Sequence, residues 1–458
     1  MENVEVDFAV VGAGFAGLTA AWRLTNVDSP PRMIVLEARP DRVGGRVWTD
    51  TLDDGTWLDK GGTWFGPGQE YSYKLAEEMG ACTYPTYTDG DSILVLEDGT
   101  IVRYAEDFPL DHLFPALGGL AVMEEFAAMA KKLPLDAPWE GTHAAEWDKQ
   151  TFAAWVDSQL DDSSFALARM ALKTIMMGVF CIDTAELSLL DALYLIRSHH
   201  GFTRLMSVKG GDQQDRIIGG AQSIANTIAS KLGDRIRLGT PVRTIKHDDD
   251  SVTVIADNLT VRAKRVIVAI PPTLAGHIQY EPLLPAGRVQ LLQRTPVGSV
   301  LKVVTVYDEA WWRDDDLTGQ SFALADPVGA TFDGCTDTGT PGVLISFVFG
   351  PNARAFGRLT KEERQQRIVD SLVKRFGSDA ADVRLYEEVE WADQQWTQGG
   401  MFAHFPTGVL TNYGSLIQEP VGRIHWAGTE TSSAFHGSIN GAIESGERAA
   451  KEVVDAES

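Results

Sequence analysis

Lys302 is a charged residue within an apolar segment of this 458-residue chain. It lies within the run Val300 to Val306, whose other members are mostly apolar and favour a buried strand. A lysine in such a strand extends its amine to water, pairs with an acid, or serves a chemical purpose. Burial would also lower the pKa of its amine. From these residues alone, extension of the amine to water is the favoured interpretation, and a catalytic role is the alternative.

Two further side chains carry chemistry but stand alone in the sequence. Trp391 ends the alternating run Val389-Glu390-Trp391. Its ring could face a ligand, and the alternative is that it packs in the core or lies on the surface. His436 has the chemistry of an acid–base group, yet one unpaired histidine is weak evidence for catalysis. Evidence for their function must therefore come from the structural elements that position these side chains.

The first of these elements surround a glycine-rich segment, residues 10–17, which reads Val-Val-Gly-Ala-Gly-Phe-Ala-Gly. A strand-like run, Val6 to Val11, leads into it, and a helix-like run, Leu18 to Leu24, follows. A second apolar strand, Met33 to Leu36, then ends on Glu37. This βαβ order, with an acid roughly 20 residues after the last glycine, predicts a dinucleotide site rather than a chance glycine-rich turn.

Each residue of this pattern has a physical role. Gly12 permits the tight turn, Gly14 lets the backbone approach a pyrophosphate, and Gly17 lets the helix pack on the strand. The phosphates would lie at the helix N-terminus, where free N–H groups and the helix dipole favour anions. The carboxylate of Glu37 would bind the adenosine ribose hydroxyls.

The residues after Glu37 distinguish between two dinucleotides. Arg39 to Arg46 reads Arg-Pro-Asp-Arg-Val-Gly-Gly-Arg, which suits a loop whose N–H groups and guanidinium bind further phosphates. A nicotinamide enzyme has no evident need for this second loop, and a solvated basic loop is the alternative. Two later strands, residues 266–270 and 423–426, also end at ligand-like turns. A nucleotide domain assembled from three separated stretches is typical of two-domain FAD oxidases.

With these motifs in place, the chain resembles the flavin monoamine oxidases of the amine-oxidase superfamily over nearly its whole length. The segments that carry the resemblance are Gly12 to Gly17, Glu37 to Arg39, Arg42 to Arg46, Asp59 to Pro67, Ile218 to Gly220, Gly298 to Lys302, Gly399-Gly400 and Ala427 to Thr431. The implied fold is an α/β (α+β) two-domain flavoprotein. A Rossmann-like FAD-binding domain would comprise residues 1–80, 217–292 and 394–458. A substrate domain of mixed sheet and helices would comprise residues 81–216 and 293–393.

The resemblance also implies which residues bind FAD. They are Gly12, Gly14, Phe15, Ala16, Gly17, Glu37, Ala38, Arg39, Gly44, Gly45, Arg46, Gly61, Gly62, Thr63, Trp64, Val242, Ala269, Trp391, Gly428, Glu430, Ser438 and Ile439. Lys302 and Trp391 are the implied catalytic residues. Lys302 would hold a water near the flavin and assist its reaction with dioxygen, and Trp391 would line the flavin.

Two departures from the family pattern shape the remaining expectations. Met401 stands where several relatives have a cysteine bonded to the flavin, so FAD should be non-covalent, and no cysteine is near this motif in the sequence. Phe402 and Ser438 stand where many relatives have two facing tyrosines, so one ring is lost, and Phe435 or His436 is a partial replacement. The implied substrate-binding residues are Phe180, Cys181, Met206, Gln213, Phe402, Phe435, His436 and Ser438. Core packing is the alternative for the apolar ones.

The expected reaction is oxidation of an amine to an imine, which hydrolyses to an aldehyde or ketone, while dioxygen reoxidises the flavin and gives hydrogen peroxide. One alternative is a heterocyclic or nicotine-type amine dehydrogenase that reacts slowly with dioxygen. A second is an L-amino-acid oxidase, although Gly68-Gln69 stands where such relatives have an arginine for the carboxylate. A non-catalytic FAD-binding protein is the third, and the motif around Lys302 argues against it.

Composition limits the partners and the location. The chain is 44% hydrophobic and long enough for two domains. Its net charge of −24 favours solubility, would attract protonated amines, and argues against a nucleic-acid partner. The three cysteines, Cys82, Cys181 and Cys335, suggest neither a metal site nor a disulfide framework. No apolar run reaches the roughly 18 residues needed to span a bilayer, and no signal peptide or anchor helix is evident. We therefore expect a cytoplasmic homodimer without a membrane partner.

Overall fold

The computed structural model describes residues 2–106, 108–114 and 117–457. The strands within them are β1 (Glu2–Glu5), β2 (Phe8–Val11), β3 (Met33–Leu36), β4 (Thr49–Thr51), β5 (Trp57–Asp59), β6 (Thr83–Pro85), β7 (Asp91–Val95), β8 (Ile101–Tyr104), β9 (Asp215–Ile217), β10 (Ile236–Arg237), β11 (Val242–His247), β12 (Val252–Ala256), β13 (Leu259–Ala263), β14 (Arg265–Val268), β15 (Gln279–Glu281), β16 (Val300–Tyr307), β17 (Leu317–Ala323), β18 (Ala330–Asp333), β19 (Gly342–Phe349), β20 (Leu385–Glu390) and β21 (Ile424–Trp426).

The α-helices are α1 (Phe15–Thr25), α2 (Glu70–Glu78), α3 (Leu110–Leu113), α4 (Leu117–Lys131), α5 (Ala144–Trp147), α6 (Phe152–Gln159), α7 (Ala166–Phe180), α8 (Leu189–Ser198), α9 (Phe202–Met206), α10 (Gln222–Leu232), α11 (Pro272–Ala275), α12 (Ala286–Gln293), α13 (Gly350–Phe356), α14 (Lys361–Phe376), α15 (Val409–Tyr413) and α16 (Ile439–Asp455).

A parallel five-stranded sheet, in the order β10-β3-β2-β14-β21, unites three distant parts of the chain. Its central strands, β2 and β14, are apolar along most of their length because both faces of the sheet are covered. Helices α1, α10 and α16 pack together on one face. The chain order reverses between β2 and β14, and ligands bind beyond the carboxyl ends of parallel strands at such a point.

A seven-stranded sheet, in the order β20-β16-β19-β18-β17-β7-β8, forms the second main layer. Its strands come from the two stretches that we assign to the substrate domain, whereas the parallel sheet draws on the other three stretches. All eight residues of β16 are buried, and Lys302 within it lies opposite Phe347 of β19. A further five-stranded sheet, in the order β1-β13-β12-β11-β15, packs beside the parallel one. The two-domain α/β architecture predicted from the sequence is therefore present.

Helix α7 bears on the expectation about membranes. The stretch Ser163–Phe180 is 18 residues long with a mean hydropathy of 1.2, so by length and composition it could cross a bilayer. It is the one helix with this property in the described part of the chain, and a single such helix is weak evidence for a membrane span. Its inner face packs in the helical core with α6 and α8, and its Lys173 pairs with Asp157 of α6.

Candidate active site

A cavity of about 550 Å³ opens between the two main sheets. Residues at the carboxyl ends of β2, β3 and β14 line one side, and β16, β18 and β19 line the other. The predicted residues that line it are Gly12, Gly14, Phe15, Ala16, Glu37, Ala38, Arg39, Gly44, Gly45, Arg46, Gly61, Gly62, Thr63, Trp64, Met206, Gln213, Val242, Ala269, Lys302, Trp391, Phe402, Gly428, His436, Ser438 and Ile439. The predicted residues outside the lining are Gly17, Phe180, Cys181, Glu430 and Phe435.

The glycine loop adopts the close packing that its sequence predicts. Gly12 has a φ of +99°, and a Cβ atom there would lie 2.7 Å from the carbonyl oxygen of Ala269. A Cβ atom at Gly17 would lie 2.0 Å from the carbonyl oxygen of Gly12. Gly17 therefore lets helix α1 pack against the end of β2, which explains why it shapes the cavity without lining it.

Glu37 is fixed by the backbone at the far end of the cavity. The Ala13 N–H donates to its Oε2 atom at 2.7 Å, and the Arg39 N–H donates to its Oε1 atom at 2.8 Å. Burial raises the pKa of Glu37, and these two hydrogen bonds oppose the increase. The carboxyl group is thus held rigidly in the lining, where a ribose hydroxyl would meet it.

The arginine loop lies against the glycine loop. A Cβ atom at Gly45 would come within 3.1 Å of the Cα atom of Gly14, so both positions require close backbone approach. Arg39 lines the same region, and its buried Nη2 atom has no hydrogen-bond partner among the described residues. A buried guanidinium nitrogen without an acceptor is rare and fits an anionic or hydroxyl-bearing ligand. These residues therefore fit the ribose and phosphate groups of a dinucleotide.

Two charged residues beside this loop act through other residues. The guanidinium of Arg42 donates to the carbonyl oxygens of Gly45 and Val47, so it shapes the loop instead of facing the cavity. Glu430, which we predicted to bind FAD, lies outside the lining, and its carboxylate accepts hydrogen bonds from both Nη atoms of Arg46 and from the Ala403 N–H. Burial would raise the pKa of Glu430, but the charge of Arg46 outweighs burial and lowers it.

Lys302 reaches into the centre of the cavity. Its Nζ atom donates to the carbonyl oxygen of Gly61 at 2.7 Å and to Thr63 Oγ1 at 2.6 Å, and the residue is 3% exposed. It does not extend to bulk water, so the interpretation favoured by its strand alone is wrong. Burial lowers the pKa of Lys302 to about 7, which nearby Arg216 reinforces and Asp59 opposes. The amine therefore exchanges protons near neutral pH.

Trp391 and Met401 form the neighbouring part of the lining. The Trp391 indole N–H donates to the carbonyl oxygen of Lys60 at 3.1 Å, which fixes its ring under Gly400. Met401 is 41% exposed and lines the cavity. Cys181 lies beside this motif although it is distant in sequence. Burial raises the pKa of its thiol to about 12, while the Met401 N–H opposes the increase.

The pair of positions that carries facing tyrosines in relatives is built differently here. Phe402 lines the cavity, and the ring of His436 packs on it edge-to-face at 5.8 Å. Burial lowers the pKa of His436 to about 4, so its imidazole is neutral. Ser438 also lines the cavity, and its hydroxyl caps helix α16 by accepting the Gly441 N–H at 3.2 Å. The ring of His436 is therefore the aromatic group beside Phe402, and Ser438 supplies none.

Phe435 and Phe180, which we predicted to bind the substrate, lie outside the lining. Phe435 has a φ of +53° and points away from the cavity, between the rings of His199 and His200 and below the guanidinium of Arg204. Phe180 supports Phe402 from behind, with ring centroids 5.4 Å apart. Both residues hold the wall in place rather than form its surface.

An aromatic wall on the seven-stranded sheet was not predicted. Phe332, Phe347 and Phe349 line the cavity opposite the glycine loops, together with the predicted Trp64. Phe347 and Phe349 stack at 5.5 Å because alternate residues of β19 share a face. The spacing of these two phenylalanines in an apolar run was the available signal. The wall gives the site an apolar surface suited to the body of a substrate.

A buried charged cluster was also missed. His199, at the end of α8, and Asp212, in the turn after α9, lie within hydrogen-bond distance and both line the cavity. Burial would raise the pKa of Asp212, but the hydrogen bond and charge of His199 outweigh it and lower the pKa. No local sequence pattern joins two residues on separate elements, so only the fold reveals this pair. Next to it, Gln213 donates to the carbonyl oxygen of Leu205 at 3.1 Å.

Comparison with known proteins assigns this geometry to a family. A profile of flavin-containing amine oxidoreductases matches residues 15–454. The chain belongs to that family. It is 33% identical over 457 residues to a probable flavin-containing monoamine oxidase A of Dictyostelium discoideum, covering 98% of this chain and 97% of that protein. It is 36% identical over 464 residues to flavin-containing amine oxidase B of Sus scrofa, covering 98% and 86%.

Solved structures of amine oxidases share the architecture. A putrescine oxidase with bound putrescine superimposes with a TM-score of 0.93 at 34% identity, covering 99% of this chain and all of that one. A cyclohexylamine oxidase from Brevibacterium oxydans gives the same TM-score at 31% identity, covering 99% of each chain. The predicted family, fold class and enzyme class are confirmed, and membership of the amine oxidoreductases implies a flavin cofactor. Among the described residues, no group of three or more His, Cys, Asp or Glu side chains could hold a metal ion.

Proposed function

We propose that this chain oxidises an amine with an apolar body, holds FAD non-covalently, and passes the electrons to dioxygen. The overall reaction consumes the amine, dioxygen and water, and yields an aldehyde or ketone, ammonia or a smaller amine, and hydrogen peroxide. When bound, FAD would accept the hydride equivalent from the α-carbon of the amine. The observation that carries the proposal is the buried Nζ atom of Lys302, which is held between Gly61 and Thr63 beside the aromatic wall.

The residues around the cavity would have different roles in binding and catalysis. Gly12, Gly14 and Glu37 would hold the nucleotide half of FAD. Phe347 and Phe402 would exclude water and orient the apolar body of the substrate, so that its α-carbon lies in one position. Lys302, with a pKa near neutrality, would hold a proton close to the dioxygen that becomes hydrogen peroxide.

The absence of a cysteine at Met401 supports non-covalent binding. A thioether to the flavin requires a thiolate, and the sulfur of methionine carries no proton to lose. The neighbouring Cys181 does not line the cavity, and the high pKa of its thiol disfavours the thiolate. The homodimer, the cytoplasmic location and the domain boundaries stay predictions from the sequence.

An L-amino-acid oxidase is disfavoured by the position of Arg204, the arginine beside Gly68. The guanidinium of Arg204 lies next to Gly68, since a Cβ atom there would be 3.3 Å from its Nη atoms. Arg204 is nevertheless outside the cavity lining and donates to Asp212 at 3.4 Å. The guanidinium beside Gly68 is therefore paired with Asp212 and lies outside the lining that a substrate carboxylate would contact.

A heterocyclic amine dehydrogenase that reacts slowly with dioxygen is the second candidate. The observation that favours it is Ser438, a small side chain that lines the cavity at a position where relatives carry a ring. A peroxide assay over primary, secondary, cyclic and α-amino acid substrates tests both proposals. We expect peroxide from amines with apolar bodies and little from amino acids. Fast anaerobic reduction by a cyclic amine, with reoxidation only by an artificial acceptor, would support the dehydrogenase, and preferred oxidation of amino acids would overturn both.

A further inference from the structure

The acids around the cavity are few. Among the described residues that line it, the carboxylates are Glu37 and Asp212. Glu37 lies at the nucleotide end, where the backbone N–H groups of Ala13 and Arg39 hold it. Asp212 lies beside Gln213 and Met206 and near the His436 wall, so it is the acid on the amine side.

The carboxylate of Asp212 already has three hydrogen-bond partners. Its Oδ2 atom faces His199 Nδ1 at 2.5 Å, and its Oδ1 atom accepts Gln69 Nε2 at 3.2 Å and Arg204 Nε at 3.4 Å. Its side chain is 5% exposed. Three donors from three separate elements therefore occupy both oxygens and most of the acceptor positions of the carboxylate.

His199 lies against this carboxylate. Its Nε2 atom lies 2.8 Å from the carbonyl oxygen of His436, and its Nδ1 atom faces the carboxylate of Asp212. Because a carbonyl oxygen carries no hydrogen, Nε2 donates to His436. The hydrogen bond and charge of His199 lower the pKa of Asp212, so the two residues form a buried ion pair that also fixes the backbone of the wall that includes Gly437 and Ser438.

We propose that the His199–Asp212 ion pair makes this enzyme select amines with a single cationic group, by occupying the carboxylate that would otherwise bind the second ammonium of a diamine. This inference rests on the proposed amine substrate. A distal ammonium that enters the apolar cavity loses its water, and burial of a charge without a partner is costly. With Asp212 neutralised, the amine side offers that ammonium no counter-ion.

Two substrates of equal length test the proposal, butylamine and 1,4-diaminobutane. The measured quantity is the ratio of their kcat/KM values in one preparation of holoenzyme, which is independent of the fraction of active protein. We expect the wild type to favour butylamine by at least about tenfold, because the diamine must bury an unpaired charge. A wild type that oxidises the diamine equally well or better would overturn the proposal.

His199→Gln frees the charge of Asp212 while keeping a donor of similar size. We expect it to shift the ratio toward the diamine by at least about tenfold. Arg204→Gln should shift it in the same direction by less, because Arg204 is farther from the carboxylate and outside the lining. The double variant His199→Gln/Asp212→Asn should return the ratio to its wild-type value, because no carboxylate is left to bind the ammonium.

The exposed His143, which is outside the lining, provides a matched control. His143→Gln should leave the ratio unchanged. An unchanged ratio in His199→Gln, or a shift that persists in the double variant, would show that Asp212 does not meet the substrate. If neither amine reduces the wild-type flavin, the proposed function itself fails, and this outcome is distinct from an altered or unaltered ratio.

Discussion

The Nζ atom of Lys302 lies 2.6 Å from Thr63 Oγ1, so a side chain of the seven-stranded sheet is hydrogen-bonded to the loop that follows β5. The same atom donates to Gly61, whose Cβ position is filled by the backbone of Arg46. The contact therefore links the two halves of the cavity at one amine. Burial of this amine beside apolar rings is what lowers its pKa to near neutrality.

Lys302→Met should impair the oxidative half-reaction. Methionine keeps the length and apolar bulk of the side chain but removes the proton that we assign to the dioxygen reaction. Stopped-flow measurements should show reoxidation of the reduced flavin slowed much more than its anaerobic reduction by amine. Equal reoxidation rates in the variant and the wild type would mean that Lys302 serves the structure alone.

The lowered pKa of Lys302 also predicts a pH dependence of stability. In the folded protein the amine titrates near pH 7, whereas in the unfolded chain it titrates about three units higher. Between these values the unfolded chain binds the extra proton, so the free energy of unfolding rises with pH, by up to about 1.4 kcal/mol per pH unit. The stability of Lys302→Met relative to wild type should therefore fall from about pH 7 to pH 9. Denaturant titrations with saturating FAD at several pH values measure it, and a constant difference would contradict the assigned pKa.

Purified protein should release all of its flavin on acid precipitation. Met401 occupies the tethering position of the family and has no thiol, and the thiol of Cys181 is buried outside the lining. Absorbance of the supernatant and of the redissolved pellet measures the partition. Met401→Ala should give the same result as the wild type. Flavin that stays on the precipitated chain would contradict the prediction.

Glu37→Gln should weaken FAD binding at comparable folding. The carboxylate accepts two backbone N–H groups, and an amide of the same shape would place a donor against one of them. A hydrogen bond to a charged group contributes on the order of 1–3 kcal/mol, so the Kd for FAD should rise about tenfold or more. Flavin fluorescence titration measures the Kd, and thermal melting of the apoprotein checks the fold. Unchanged affinity in a folded variant would place the ribose elsewhere.

Ser438→Tyr should narrow the cavity at the wall where relatives carry a ring. Activity on branched or cyclic amines should fall relative to slim primary amines, by about 10–200-fold for a steric misfit worth roughly 1–3 kcal/mol. Ser438 also caps α16, so Ser438→Ala is the necessary control, with an expected loss of about 1 kcal/mol of stability and no change in substrate ranking. An unchanged ranking in Ser438→Tyr would mean that this position does not face the substrate.

Local sequence patterns predicted the elements well where the chain repeats a simple period. Strand β3 has the predicted bounds, and β16 begins at Val300 as predicted and ends one residue beyond Val306. The nucleotide half of the cavity could equally be predicted from the sequence, because each glycine and Glu37 acts within one βαβ unit. The amine half was not, because its walls come from β18, β19, α8 and the loop before α16.

Residue orientation explains why that half was hard to predict. Phe435 and His436 are neighbours in sequence, and only the left-handed backbone at Phe435 decides which ring faces the cavity. Lys302 shows the converse, since its strand suggested an amine in bulk water, and the acceptors that hold it lie on a loop 240 residues away. Contacts of this kind depend on the packing of whole layers and leave no local pattern.

The three-part origin of the parallel sheet has a consequence for biosynthesis. The ribosome makes β2 early, but β21, which completes the sheet beside β14, follows some 400 residues later, or roughly 20–80 s at ~5–20 residues per second. Until then, the apolar strands have an open edge that invites pairing with other chains. Yield in the cell should therefore depend on chaperones that shield nascent chains, and coexpressing them should raise the soluble fraction without changing the specific activity of the folded enzyme.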